Sequence, residues 1–222
     1  MNRVKKKCII GVLFIALISM SCLYFTKDVY ENQKSYKDQL IRFHVLANSD
    51  SPKDQALKLK VRDRIINEMN PKFEASSSLE ESKEMITENI PGLEKIAREE
   101  IIGNGYDYDV KIALGDFPFP TKNYGSITLP AGNYQALRVE IGEAEGANWW
   151  CVLFPPLCFV DMKNGLTDER TKQEMQNVLT KEEFNMINTA SSEDKMPIKL
   201  KFKIVEVFEG MKEKMNHVVG MQ

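Results

Sequence analysis

Between Arg42 and Arg62 the chain gathers most of the side chains that could do chemistry: Arg42, His44, Asn48, Ser49, Asp50, Ser51, Asp54, Lys58 and Arg62. One chemistry is hydrolytic. His44 would be the general base, Asp50 or Asp54 its orienting acid, and Ser49 or Ser51 the nucleophile, giving a secreted or membrane-anchored hydrolase acting on cell wall or peptide. The other is recognition. Arg42, Lys58 and Arg62 would meet acidic groups on a partner, with Trp149 and Trp150 as apolar anchors wherever they reach the surface. Recognition explains more of the sequence, because each serine already has a role as a turn or cap residue. The chain also lacks a G-x-S-x-G elbow, an H-E-x-x-H pair, a Walker loop and a G-x-G-x-x-G turn. No catalytic residue and no cofactor are expected.

These side chains need a strand, a turn and a helix to hold them. From Leu40 to Asn48 the residues alternate, with Ile41, Phe43, Val45 and Ala47 on one face and Arg42, His44, Leu46 and Asn48 on the other. Asn48-Ser49-Asp50-Ser51-Pro52 then stops the strand, since short polar side chains bond nearby backbone and the residue before proline avoids helical angles. Ser51 is the expected N-cap, Pro52 the first helical residue, and Asp54 an acid at the positive helix end. Leu57, Val61, Ile65 and Met69 form an apolar line along that helix. Asp54, Lys58 and Arg62 form a second line at i, i+4 and i+8, the spacing of helical ion pairs. The expectation is a polar site in which Arg42, His44, Asn48, Asp50, Asp54, Lys58 and Arg62 converge.

Further along, Asn70-Pro71 is expected to end the first helix. Ser78 caps a second one, which Pro91 kinks or restarts before Gly103-Asn104-Gly105 closes it. From Tyr106 to Leu114 the period is two, a strand. Phe117 to Pro120 reads as a rigid aromatic loop, and Tyr134 to Ile141 as another strand. Trp149 to Phe154 is almost continuously apolar, which places it in the middle of the sheet, and Pro155-Pro156 ends it. Cys151 and Cys158 flank that turn and are a candidate disulfide, the alternative being two buried thiols. Their spacing is not that of a metal site. Thr167 to Asn188 reads as helix. Ile198 to Met215 fits both periods, and Pro197 favours a helix.

The result is an α+β fold, a mainly antiparallel sheet packed by helices, in one domain over residues 40–215 with a tail at 216–222. The formal net charge of -2 gives no sign of a nucleic-acid partner. Ahead of the domain, Arg3, Lys5, Lys6 and Lys7 precede an apolar run from Cys8 to Phe25, so residues 1–25 read as a signal peptide or membrane anchor and residues 26–39 as a polar linker. The domain is thus expected on the far side of the cytoplasmic membrane.

Two segments carry a resemblance. IRFHVLANSDSPKDQALKLKVRD, from Ile41 to Asp63, and NWWCVLFPPLCFVD, from Asn148 to Asp161, resemble the stage II sporulation protein R family of endospore-forming bacteria. The resemblance implies a protein made in the forespore and exported into the space between forespore and mother cell. There it would trigger a membrane-embedded aspartic protease that releases the first mother-cell sigma factor from its precursor. It implies a signal without catalytic activity or small-molecule substrate, and it assigns no contact residue.

Overall fold

The structure, a computed structural model, describes residues 36–76, 78–158 and 168–188. Strand β1 is Ile41–Leu46, followed by helices α1 (Pro52–Ala75) and α2 (Leu79–Gly103). Strands β2 (Val110–Phe119), β3 (Lys122–Tyr124), β4 (Ile127–Leu129), β5 (Gly132–Ile141) and β6 (Asn148–Phe154) come next. Helices α3 (Asp168–Val178) and α4 (Lys181–Ile187) complete the described chain. The main sheet has the order β2-β5-β1-β6, and β3 and β4 form a separate hairpin. β1 runs parallel to β5 and antiparallel to β6, and β2 is antiparallel to β5. The fold is α+β as expected, with one parallel pair at the centre of a mainly antiparallel sheet.

Alternation decides what each face of the sheet packs against. On the first face Phe43, Val45, Leu137, Val139, Cys151 and Leu153 join Leu57, Val61, Ile65 and Met69 of α1 and Ile86, Leu93, Ala97 and Ile101 of α2. The predicted stripe of α1 is fully used, while Leu59, off that stripe, stays 39% exposed. On the second face lie Leu40, Tyr134, Ala136 and Val152, covered by Ile127, Leu129, Met175, Phe184 and Ile187 from the hairpin and the last two helices. Tyr36 is already fully buried there.

Several boundaries differ from the sequence expectation, each for a local reason. Pro71 and Pro91 both sit inside helices. Each proline, and the residue four places before it (Asn67 and Thr87), is on an exposed face, where water can take the carbonyl left without its helical N–H. Phe117 to Phe119 belong to β2, because β2 is an edge strand and an edge tolerates Pro118. β6 is the opposite edge, not the centre. Its apolar run instead reflects cover on both faces, with Cys151 and Leu153 in one core and Val152 in the other. The helix expected over 167–188 is broken at Leu179-Thr180, where Thr180 and Glu183 make a reciprocal capping box that starts α4. Cys151 and Cys158 are placed as a disulfide across the turn after β6, with Cα atoms 5.8 Å apart. The leader, the linker up to residue 35, the ambiguous segment at 198–215 and the tail lie outside the described residues. Among the described residues no helix is long and apolar enough to cross a membrane.

Candidate functional site

The residues expected to converge are divided between two places. Asn48, Asp50, Asp54, Lys58, Arg62 and Trp149 lie at the strand-turn-helix corner or on the α1 side of the sheet. Arg42, His44 and Trp150 lie on the opposite face. The two-residue period of β1 makes this division, since side chains that alternate with Phe43 and Val45 cannot reach α1.

The corner is a closed network built around Asp54, which is 5% exposed. Its carboxylate accepts from Asn48 Nδ2 at 2.9 Å, Ser49 Oγ at 2.5 Å and Tyr108 Oη at 3.2 Å. Ser51 Oγ accepts from Asp54 N at 3.1 Å, the predicted N-cap. The turn after β5 closes over this corner. Glu143 N donates to Asn48 Oδ1, Gly146 N to Ala47 O, and Ala147 N to Asp50 Oδ1. Gly142, at φ +58°, and Gly146 come so close that a Cβ would collide with Asn48 Oδ1 and Ser49 O respectively. Lys58 donates to Gln55 Oε1 at 2.6 Å and Ala147 O at 2.7 Å, and Arg62 pairs with Asp63 and lies 4.7 Å from the ring centroid of Trp149. The expected Asp54-Lys58-Arg62 ion line does not form, because each group has another partner: Asp54 the strand-to-helix turn and Tyr108, Lys58 Gln55 and the Ala147 carbonyl, Arg62 Asp63 and the Trp149 ring.

Hydrogen bonds from Asn48, then Ser49 and Tyr108, hold the Asp54 carboxyl below its ordinary value against the opposing effect of burial. Asp54→Asn is therefore expected to lower stability by about 1–2 kcal/mol at neutral pH in urea unfolding. A carboxyl depressed on folding contributes stability that is complete above its unfolded value, about 4, and is lost as pH falls through the folded value. The parent should show that loss and the variant should not.

The second face has a different character. Arg42 is fully buried and His44 is 3% exposed. In the sheet register Ala113, Arg138, His44 and Trp150 form one row across the four strands, and Gly115, Ala136, Arg42 and Val152 the next. His44 stacks on Trp150 with centroids 4.9 Å apart and planes 12° apart, and meets Phe119 at 4.9 Å and Phe117 at 5.6 Å. The Arg42 guanidinium lies 4.1 Å from the Phe119 centroid and 4.8 Å from that of Tyr134, and Nη2 donates to Tyr124 Oη at 2.9 Å. Arg138 sits 5.1 Å from the Phe117 centroid and pairs with Glu140 one row away. Lys122 Nζ is 5.8 Å from the Trp150 centroid.

Burial, then the charges of Arg138 and Arg42, pull the His44 imidazole down to about 4. It is neutral at pH 7. Neither ring nitrogen has a hydrogen-bond partner. Asp50 and Asp54, the acids expected to orient it, are committed to the corner on the other side of the sheet. The Ser-His-Asp arrangement considered for a hydrolase is therefore not assembled among the described residues. Nor is any group of three or more His, Cys, Asp or Glu there placed to hold a metal ion.

Arg138, Phe117, Phe119, Tyr124 and Tyr134 were not singled out by sequence reasoning. The signal was present for four of them, since Tyr134, Ala136, Arg138 and Glu140 alternate with the core residues Leu137, Val139 and Ile141, and Phe117 and Phe119 fall in step with one another. Tyr124 arrives through the β3–β4 hairpin, which no periodicity marks.

What the geometry defines is a two-faced α+β domain, one face packed by α1 and α2 and the other, under the β3–β4 hairpin, α3 and α4, holding a cluster of cations and aromatic rings. The chain belongs to the stage II sporulation protein R family, whose model matches residues 37–164. Among curated proteins it is similar to "Stage II sporulation protein R" of Bacillus subtilis (strain 168), 39% identical over 166 residues that cover 72% of this chain and 74% of the relative. No solved structure matches the chain.

Proposed function

We propose that this protein is an exported signal of endospore formation, made in the forespore, that activates a membrane-embedded aspartic protease and so promotes processing of the early mother-cell sigma factor. The observation that carries the reading is family membership over most of the chain, including both segments quoted above. Two features support it. The basic and apolar leader fits export across the forespore membrane or anchorage in it by residues 8–25. The only histidine of the described residues lies among arginines and aromatic rings rather than beside an acid and a nucleophile, which fits a signal better than a hydrolase.

The test is reconstitution in vegetative cells that carry only the protease and the sigma-factor precursor. Co-expression of the full chain is expected to convert most of the precursor, read by blotting. A chain lacking residues 1–25, or cells lacking the protease, should convert none. Absence of cleavage with folded, exported protein would sink the reading, and cell-wall hydrolysis would then be assayed.

A further inference from the structure

Four residues of the second sheet face hold buried polar atoms with no partner: Nε and Nη1 of Arg42, both ring nitrogens of His44, Nε of Arg138 and Oδ1 of Asn148. They are neighbours. Arg138 and His44 share a row of the sheet, Arg42 lies in the next, and Asn148 is aligned with Leu46 in the row on the other side. Buried polar groups in folded proteins are nearly always satisfied, so a local group of orphans on one face calls for a physical cause. Among the described residues no carboxylate pairs with Arg42 or His44, and Glu140, paired with Arg138, is the one acid in these rows.

A buried guanidinium with a single hydrogen bond is costly, and stacking on Phe119 and Tyr134 offsets only part of that cost. The field at the cluster is positive on balance, with Arg42, Arg138 and the nearby Lys122 set against the single carboxylate of Glu140 and a neutral imidazole. The orphaned donors, Arg42 Nε and Nη1, Arg138 Nε and the single N–H of His44, are in a positive, ring-walled site the complement of an anion, whereas Asn148 Oδ1 is an acceptor and takes no part in it. Exclusion of water strengthens the attraction. The flat rings of Phe117 and Trp150, each partly exposed, form the outer wall. Flat walls favour a planar anion over a tetrahedral one.

We infer that this cluster is a receptor for a carboxylate, with Arg42 and Arg138 as its cationic contacts, His44 beside them, and Phe117 and Trp150 as the walls it passes. The carboxylate is either an acidic side chain of a partner protein or a free small carboxylate. An arriving negative charge offsets both arginines, so the midpoint of His44 rises and, at pH below it, the imidazole takes up a proton from solvent and gains a second donor. The inference concerns this chain alone and stands whether or not the partner is a protease.

The experiment uses the full chain, purified in detergent with isotope-labelled histidine. The sequence has two histidines, so His217→Gln leaves His44 as the one imidazole signal. Sodium acetate and a capped tetrapeptide with one glutamate are titrated separately at constant ionic strength, with inorganic phosphate as the competing anion class. Saturable shifts of the His44 ring signals are expected, and its titration midpoint should rise from about 4 to above about 5. Affinity should fall at least about tenfold in Arg42→Gln and in Arg138→Gln. It should stay unchanged in Arg62→Gln, on the other face. Tighter binding of the peptide than of acetate by about tenfold assigns the site to a partner's side chain, and equal binding to a small carboxylate. Absence of a saturable shift with either probe overturns the inference, as does stronger binding of phosphate or unchanged affinity in folded Arg42→Gln. If Arg42→Gln does not fold, Arg138→Gln, on a half-buried surface position, decides. Because no protease is present, failure here is distinct from failure of precursor cleavage in cells.

Discussion

Arg42→Met is expected to make the protein more stable and to abolish the precursor cleavage proposed for it. Arg42 is fully buried at the centre of the sheet, held by one hydrogen bond to Tyr124 and by stacking on Phe119, with no carboxylate opposite it among the described residues. A methionine of similar length keeps the contacts with Phe119 and Tyr134 and removes the cost of an unpaired buried charge. Replacing buried ion pairs by apolar groups of similar volume is often neutral or stabilising by about 1–4 kcal/mol; with the donor to Tyr124 Oη lost as well, a gain of about 1–3 kcal/mol is expected here in urea unfolding. If the arginine served only the fold, its removal would instead be destabilising. Precursor cleavage in the reconstituted cells should fall to background although the protein is exported and folded. A stable variant that still signals would take Arg42 out of the functional surface. Stability given up to keep a charge in place is the mark of a site kept for function.

Acidification should weaken the fold well above the pH at which carboxylates titrate, and His44 should be the cause. Its imidazole is held at about 4 by burial and by Arg138 and Arg42, whereas in the unfolded chain it titrates near its ordinary value, about 6.5. The unfolded chain therefore binds the proton first. Stability is complete above about pH 6.5 and declines as pH falls toward 4, by about 3 kcal/mol at the limit. This is opposite in sign to a histidine that gains a partner on folding. Urea midpoints measured between pH 7 and 4.5 should drop in the parent and stay nearly level in His44→Gln. The Asp54 network acts at lower pH, so the two effects separate. A parent whose stability is flat over that range would mean that His44 is not desolvated.

The corner was legible in the sequence because its forces are local. Ser51, Pro52 and Asp54 cap a helix through bonds three residues apart, and Leu57, Val61, Ile65 and Met69 report their face by spacing alone. The joint site was not. Arg42 and His44 alternate with core residues, which placed them together correctly, but a period of two says nothing about what covers the far face. Cover there comes from Phe119, Tyr124 and Phe184, far away in sequence. Trp149 to Phe154 misled for the same reason, since an apolar run records cover on both faces and not position within the sheet. The breaks at Pro71 and Pro91 were over-read because the rule about proline concerns a missing bond, and on an exposed face water makes that loss tolerable.

One of the two inner strands, β1, is also the first among the described residues. Ile41 pairs with Phe154, and β1 takes its parallel neighbour from β5, so the strand that comes earliest among the described residues has no sheet to enter until β5 and β6 have been made. Helices α1 and α2 can pair early through near-neighbour contacts, whereas closing the sheet requires bringing distant ends of the chain together. Folding is then limited by long-range closure and is slower than in a helical protein of this size. A chain cut before Asn148 would leave exposed the edge of β1 that β6 covers, and a nascent chain would do the same until its tryptophan pair emerges. The protein's vulnerability to aggregation or proteolysis lies in that interval, and the arrival of β6 ends it.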